Sequence, residues 1–191
     1  VLGRPGRAGD GGPAAAALLR SPCGVAVDAA AEVLFNAPDP VADTYNHAVR
    51  VVDLRSGLLS TLAGVLGAPG TAGDGGPAAS ARLYYPRGLA VDAGAQRLYV
   101  ADSWNHAVRA LDLRTGLLTT VAGSLGSFGR ATTAGGTTSG DGRADRELLH
   151  APAGVAVAAG AFEAELFVAD AGNHVVRMVA LVNNVSMLEL G

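Results

Sequence analysis

The chain has 191 residues, which is enough for one to one and a half ordinary domains. It is 49% hydrophobic but only 16% charged, and its formal net charge of −3 argues against a nucleic-acid binder that works through a broad basic field. No apolar run approaches the ~18 residues of a membrane span. The single cysteine, Cys23, excludes an internal disulfide and is compatible with an intracellular compartment, which it favours only slightly.

Internal repeats dominate the sequence. Residues 7–28 match 71–92, residues 41–64 match 100–123, and residues 167–191 match the latter segment again. The chain therefore divides into three units, predicted at 1–64, 65–123 and 124–191. The first unit carries an insertion, Asn36–Pro40, and the third carries extra residues within 126–146.

Each unit is predicted to contain four short strands. In the middle unit they are Gly88–Asp92, Arg97–Ala101, His106–Leu113 and Leu117–Ala122. The joining turns are rich in Gly, Asp, Asn and Ser, which favour tight turns. Such an arrangement is an antiparallel meander, followed by a long Gly-rich loop to the next unit.

A meander of this size cannot bury both of its faces alone. Stacking the copies around a common axis buries them and predicts an all-β fold of the β-propeller type, with the first strand of each unit innermost. The small residues of the first strands, GVAVD, GLAVD and GVAVA, suit a crowded axis.

The units resemble NHL repeats. The pattern begins with Pro-x-Gly at Pro22, Pro86 and Pro152, and continues with Asn-His pairs at Asn46, Asn105 and Asn173. The resemblance covers nearly the whole chain and implies four-stranded antiparallel blades. NHL propellers usually close with six blades, sometimes five, so about three blades form an incomplete ring. The resemblance therefore implies two or three further blades outside this sequence or from a second chain.

The polar residues shared by the repeats have a functional and a structural interpretation. His47, His106 and His174 are potential metal ligands or bases, but hydrogen bonding in the seam between blades is favoured. The aspartates that end the second strands are expected to start Asx-type turns; they are Asp43, Asp102 and Asp170. In the loops that read Gly-Asp-Gly, glycine is expected to supply positive φ rather than a calcium or phosphate site. No catalytic residue, metal ligand or cofactor site is predicted.

Residues that vary between the repeats are better candidates for binding a partner. Tyr45 and Trp104 occupy the same turn position and are expected to project from one face as anchors for a protein; packing on a neighbouring loop is the alternative. The two insertions are further candidates, or else solvated spacers. The insertion residues considered as partner contacts are Asn36, Pro38, Asp39, Pro40, Phe128 and Arg130.

The leading functional prediction is a non-catalytic protein-interaction or scaffold module within a larger protein or assembly. Its partners would be other proteins, including remaining blades or neighbouring subunits. The alternative is the propeller part of an enzyme, similar to the peptidyl-hydroxyglycine amidating lyase, which binds metal near its axis, or to propellers linked to thioredoxin-like domains. A sensor domain of a receptor kinase also stays open. RNA binding through the arginines of the long loops is a distant third.

Overall fold

The computed structural model describes residues 6, 8–27, 39–129, 148–158 and 164–181. Within these residues the protein is all-β, as predicted, with antiparallel strands and only short 3₁₀ turns in place of helices. No helix in the described part of the chain is long and apolar enough to cross a membrane.

The strands form three sheets, and each sheet draws its strands from one stretch of the chain. The first sheet has the order β1-β5-β4-β3-β2, the middle sheet β6-β10-β9-β8-β7, and the third sheet β11-β12-β13. The strands of the first sheet are β1 Gly12–Pro13, β2 Pro22–Val25, β3 Asp39–Asp43, β4 Ala48–Asp53 and β5 Leu58–Ala63. Those of the middle sheet are β6 Gly76–Pro77, β7 Pro86–Asp92, β8 Arg97–Asp102, β9 Ala107–Asp112 and β10 Leu117–Gly123. Those of the third sheet are β11 Gly154–Ala158, β12 Ala164–Asp170 and β13 Val175–Leu181.

The four-stranded meander is present in the first two sheets, but a fifth strand lies at its outer edge. Gly76–Pro77 pairs with β10, and Gly12–Pro13 pairs with β5 in the same way. Proline is tolerated at the edge of a sheet because it lacks only a donor that no further strand would use. The long loop of each of the first two units therefore returns to cover the edge of its own sheet. The predicted fourth strand of the third unit lies outside the described residues.

The prediction that Asn36–Pro40 is an inserted segment is wrong at its carboxyl end. Asp39 and Pro40 are not loop residues, since they begin β3 and pair with Val52 and Val51. Pro40 is buried. Asn36 and Pro38 lie outside the described residues.

Glycine in the Pro-x-Gly pattern allows neighbouring sheets to approach closely. The first strands β2, β7 and β11 contact one another in succession, which places them on the inner side of the stack. A Cβ at Gly88 would lie 2.6 Å from the Cα of Gly154, and a Cβ at Gly24 would overlap the carbonyl oxygen of Arg87. The crowded axis expected from the small residues is thus present.

The middle sheet buries both of its faces because side chains alternate along each strand. One face packs on the first sheet and forms what is called here the first seam. The opposite face packs on the third sheet and forms the second seam. The middle sheet contributes Leu89, Leu98, Val100, Leu111 and Leu118 to the first seam. It contributes Ala90, Tyr99, Val108, Ala110 and Ala122 to the second seam.

In the part of the chain that the structure describes, the outer sheets each leave one apolar face uncovered. On the first sheet Val25 is 70% exposed, whereas its counterpart Leu89 in the middle sheet is 7% exposed. On the third sheet Val176 is 63% exposed, whereas its counterpart Val108 is fully buried. We call the first of these faces the leading flank (Val25 and Val27) and the second the trailing flank (Phe167 and Val176).

Candidate functional site

The same turn follows the second long strand of every sheet. It is a single 3₁₀ turn that ends at a histidine in the left-handed conformation, with φ of 58° at His47, 56° at His106 and 58° at His174. Left-handed backbone is uncommon for a residue other than glycine. The third long strand therefore begins one residue after the histidine, not at it as predicted.

A cluster of buried polar side chains holds this turn. We call this cluster the hub; in the middle sheet it consists of Asp102, Asn105 and Arg109. In the middle sheet, Oδ1 of Asp102 accepts a hydrogen bond from the backbone N–H of Tyr84 at 2.7 Å. Its Oδ2 accepts from Nδ2 of Asn105 at 2.8 Å and from Nη1 of Arg109 at 3.4 Å. Neither carboxylate oxygen caps the turn, so the expected Asx-type turn is wrong. The aspartate instead ties the turn to the start of its own first strand.

The arginine at the centre of each hub was not singled out by sequence reasoning. Arg50 and Arg109 are fully buried, and each has a second carboxylate partner in the Gly-Asp-Gly loop of its own unit. Nη2 of Arg50 lies 3.0 Å from Oδ1 of Asp10, and Nη2 of Arg109 lies 3.0 Å from Oδ1 of Asp74. The signal that could have found this role is the loop aspartate itself, which recurs with each repeat.

The glycines of these loops have the backbone conformation predicted for them. Gly73 has φ of +93° and Gly75 has φ of +76°. Positive φ folds the loop so that Asp74 can reach Arg109, and this makes the loop a structural partner of the hub.

Burial controls the charge of the middle hub. It raises the pKa of Asp102 to about 6, although the Tyr84 N–H, Asn105 and Arg109 all act in the opposite direction. Removing a carboxylate from water costs more than these partners return. Since Asp102 is fully buried, this carboxyl serves the fold and has no open side toward a substrate.

Two of the histidines join neighbouring sheets, as predicted. Nδ1 of His47 accepts a hydrogen bond from the N–H of Tyr85 at 3.3 Å, and Nδ1 of His106 accepts from the N–H of Ala151 at 3.1 Å. Burial lowers the pKa of His47 and of His106, which favours the neutral ring that can accept. Within the described residues no group of three His, Cys, Asp or Glu side chains could hold a metal ion.

A hydroxyl also crosses each seam. Oγ1 of Thr44 donates to the carbonyl of Pro86 at 2.7 Å, and Oγ of Ser103 donates to the carbonyl of Pro152 at 2.6 Å. The third repeat has Ala171 at this position, which has no such donor.

Aromatic rings from two neighbouring sheets meet at the end of the stack where these turns lie. We call Tyr45, Tyr84, Tyr85 and Trp104 the aromatic surface. The ring of Tyr85 lies 4.9 Å from that of Tyr45 and 5.0 Å from that of Trp104, so it bridges the two predicted anchors. Tyr45 is 44% exposed and Trp104 is 51% exposed. The guanidinium of Arg20 lies 5.6 Å from the centre of the Tyr45 ring.

Sequence reasoning placed Tyr45 and Trp104 on one face but missed the tyrosines between them. Tyr84 and Tyr85 directly precede the Pro-x-Gly pattern, and Tyr85 has φ of 50°. The N–H of Trp104 donates to the carbonyl of Tyr84 at 3.0 Å. This bond holds the two residues side by side.

Phe128 belongs to a second, smaller group of rings at the second seam. It is 62% exposed and lies 5.0 Å from the rings of His106 and His150. Gly172 replaces the anchor of the third turn, because a Cβ there would lie 2.5 Å from Cγ of His150. Arg130 lies outside the described residues.

Comparison with known proteins agrees with the repeat pattern and the fold. The family model described as "NHL repeat" matches residues 83–111, which span β7 to β9. The bovine (Bos taurus) NHL repeat-containing protein 2 is 37% identical over 99 residues, covering 52% of this chain and 13% of that protein. Protein SUPPRESSOR OF QUENCHING 1, chloroplastic, from Arabidopsis thaliana is 32% identical over 148 residues, covering 74% of this chain and 12% of that protein. The chain thus spans roughly one eighth of the length of these relatives.

Solved structures are similar in fold. A protein of unknown function from Bacteroides thetaiotaomicron superposes with a TM-score of 0.60 at 20% identity, covering 77% of this chain and 33% of that one. An auxiliary nutrient binding protein from Bacteroides ovatus gives a TM-score of 0.53 at 19% identity, covering 86% and 49%. The sequence matches thus identify an NHL repeat in the middle unit, whose pattern the other two units share, and the solved structures share the fold.

Proposed function

We propose that this part of the protein is a non-catalytic interaction module that binds another protein through the aromatic surface. The observation that carries the proposal is the exposure of Tyr45 and Trp104 on a support of packed rings. Aromatic side chains are enriched among the residues that dominate binding energy in protein interfaces, and they lose little conformational entropy on binding.

The support beneath the two anchors favours a binding role. Tyr85 contacts both of them, and it also contacts His47, whose ring centre lies 4.7 Å away. Because His47 is itself bonded to the Tyr85 backbone, the anchors rest on the first seam rather than on a free loop. A surface held in this way needs little reorganisation when a partner docks.

The polar groups of the repeats support the absence of catalysis. The aspartates, asparagines and arginines of the hubs bond one another and the backbone, and the histidines of the first two repeats bond across the seams. Groups engaged in this way are not poised for proton transfer to a substrate.

Selection from a peptide library displayed on phage tests the proposal. The chain is immobilised, binding peptides are isolated, and their affinities are compared for the wild type and the double variant Tyr45→Ser/Trp104→Ser. We expect the double variant to weaken the selected peptides more than about tenfold, as loss of two anchors would. Trp104 is the single tryptophan, so its fluorescence should also shift when a peptide binds the wild type.

The matched control is Leu54→Ser/Leu117→Ser, which removes two exposed apolar side chains near the hairpins at the opposite end of the sheets. This variant should bind the peptides as the wild type does. Peptides that bind the Tyr45/Trp104 variant unchanged, or a selection that enriches none, would contradict the proposal.

A further inference from the structure

The leading and trailing flanks are the halves of a seam that the structure already contains twice. At the first and second seams, the face equivalent to the trailing flank packs against the face equivalent to the leading flank of the next sheet. The counterparts of the exposed Val25, Phe167 and Val176 are Leu89, Tyr99 and Val108, all of which are buried in these seams. The internal seams therefore show that a face like the trailing flank is covered by a face like the leading flank of another sheet.

Backbone spacing at the trailing flank points to the same neighbour. Gly24 and Gly88 each have the backbone of the following sheet at the place where a Cβ would stand. Gly154 occupies the equivalent position in β11, and the nearest atom to its Cβ position is the Cβ of Ala169 in its own sheet, at 3.5 Å. Among the described residues, the third sheet thus keeps room for another first strand.

Polar groups on the flanks are arranged to match. In both internal seams the histidine after the turn accepts from the N–H of a residue with φ near +50°, which is Tyr85 or Ala151. His174 ends the turn of the third sheet in the same left-handed conformation, and Ser21 precedes β2 with φ of 48°. The leading flank of this chain therefore holds a backbone of the shape that His174 would require.

We propose that the trailing flank of one chain binds the leading flank of a second copy of the same chain. The two flanks differ, so the contact is head-to-tail, and such contacts give a closed ring if the rotation closes and a filament if it does not. The new seam would reproduce the aliphatic packing and the histidine bond of the internal seams. It would lack one hydroxyl bond, because Ala171 stands where Thr44 and Ser103 donate.

Complementation between two charged variants tests this proposal. Val25→Asp places a carboxylate on the leading flank and Val176→Asp places one on the trailing flank. Both positions are largely exposed within one chain, so each variant should fold, as circular dichroism and thermal unfolding will verify. Mass is measured by sedimentation velocity and light scattering over a range of concentrations.

We expect the wild type to form dimers or larger assemblies, and each variant alone to stay monomeric. An equimolar mixture should form a dimer, because the Val25→Asp chain keeps an intact trailing flank and the Val176→Asp chain an intact leading flank. Leu54→Asp, at an exposed hairpin, should assemble as the wild type does. A monomeric wild type, self-association of either variant alone, or a mixture that stays monomeric would overturn the proposal. None of these outcomes depends on the aromatic surface.

Discussion

The middle sheet and the two outer sheets carry nearly the same sequence pattern in different surroundings. Val108 and Val176 occupy equivalent positions, yet the first is fully buried and the second is 63% exposed. The hub behaves differently, since Arg50 in the first sheet and Arg109 in the middle sheet are both fully buried. The hub is thus a property of each repeat, whereas burial of the apolar faces is a property of the neighbour.

The largest effect is expected when the hub arginine is removed from each of two sheets. Arg109→Met should lower the free energy of unfolding by about 3–5 kcal/mol, because it leaves the buried carboxylate of Asp102 without its counter-charge. Arg50→Met should cost a similar amount if the hub belongs to the repeat. Urea unfolding measures both, with the exposed Arg114→Met as the control. A much smaller cost at Arg50 would mean that the neighbouring sheet, not the repeat, maintains the hub.

The stability of the middle hub is expected to depend on pH. Since burial raises the pKa of Asp102 to about 6 from an ordinary value of 3.8, the folded state holds this proton more tightly than the unfolded state. The stability that this group contributes is fully present below about pH 4 and is lost as the pH rises through about 6. The stability difference between the wild type and Asp102→Asn, measured by urea unfolding from pH 4 to 7, should change in that direction.

Asp112 serves as a control, because its contribution to stability is expected to depend on pH in the opposite direction. Hydrogen bonds, first that from the Thr115 N–H, hold the pKa of this exposed carboxyl below its ordinary value. Its contribution is therefore present above about pH 4 and is lost as the pH falls. A pH-independent difference for Asp102→Asn would contradict the assignment of a raised pKa to the hub.

Valine truncation tests the role of the neighbour directly. Val108→Ala should cost about 2 kcal/mol, because two buried methyl groups are lost from the second seam. Val176→Ala should change the stability of the monomer by less than about 0.5 kcal/mol, as at other exposed positions. The measurement is unfolding at low protein concentration. Equal costs at the two positions would refute the claim that only the neighbouring sheet distinguishes them.

The smallest expected effect concerns the hydroxyl that crosses a seam. Ser103→Ala should cost about 1–2 kcal/mol, because the carbonyl of Pro152 loses a buried donor. The exposed Ser80→Ala should have little effect on unfolding. If Ser103→Ala is also neutral, then Ala171 is no disadvantage to the third sheet.

Strands and turns were predictable because local chemistry decides them. Alternation of side chains and the Gly, Asn and Asp of the turns placed the four strands of the middle sheet within about two residues of their ends. The histidine bonds were also foreseeable, because His47 and His106 recur at one place beside a neighbouring copy. The edge strand Gly76–Pro77 was not, since two residues carry no periodicity.

The candidate site was predictable only in part. Equivalent turn positions indicated that Tyr45 and Trp104 share a face, but nothing local indicated that Tyr84 and Tyr85 fill the space between them. The double role of Arg109 was likewise hidden, because Asp74 and Asp102 are brought to it by the loop and by the turn.

The repeat, the four-stranded meander and the positive φ of the loop glycines follow from the amino-acid sequence, because they depend on interactions within a few residues. Which of the matching apolar patterns became core and which became surface depends instead on the packing of whole sheets. That outcome depends on whether another sheet lies within packing distance, and a repeated sequence is the same with or without that neighbour.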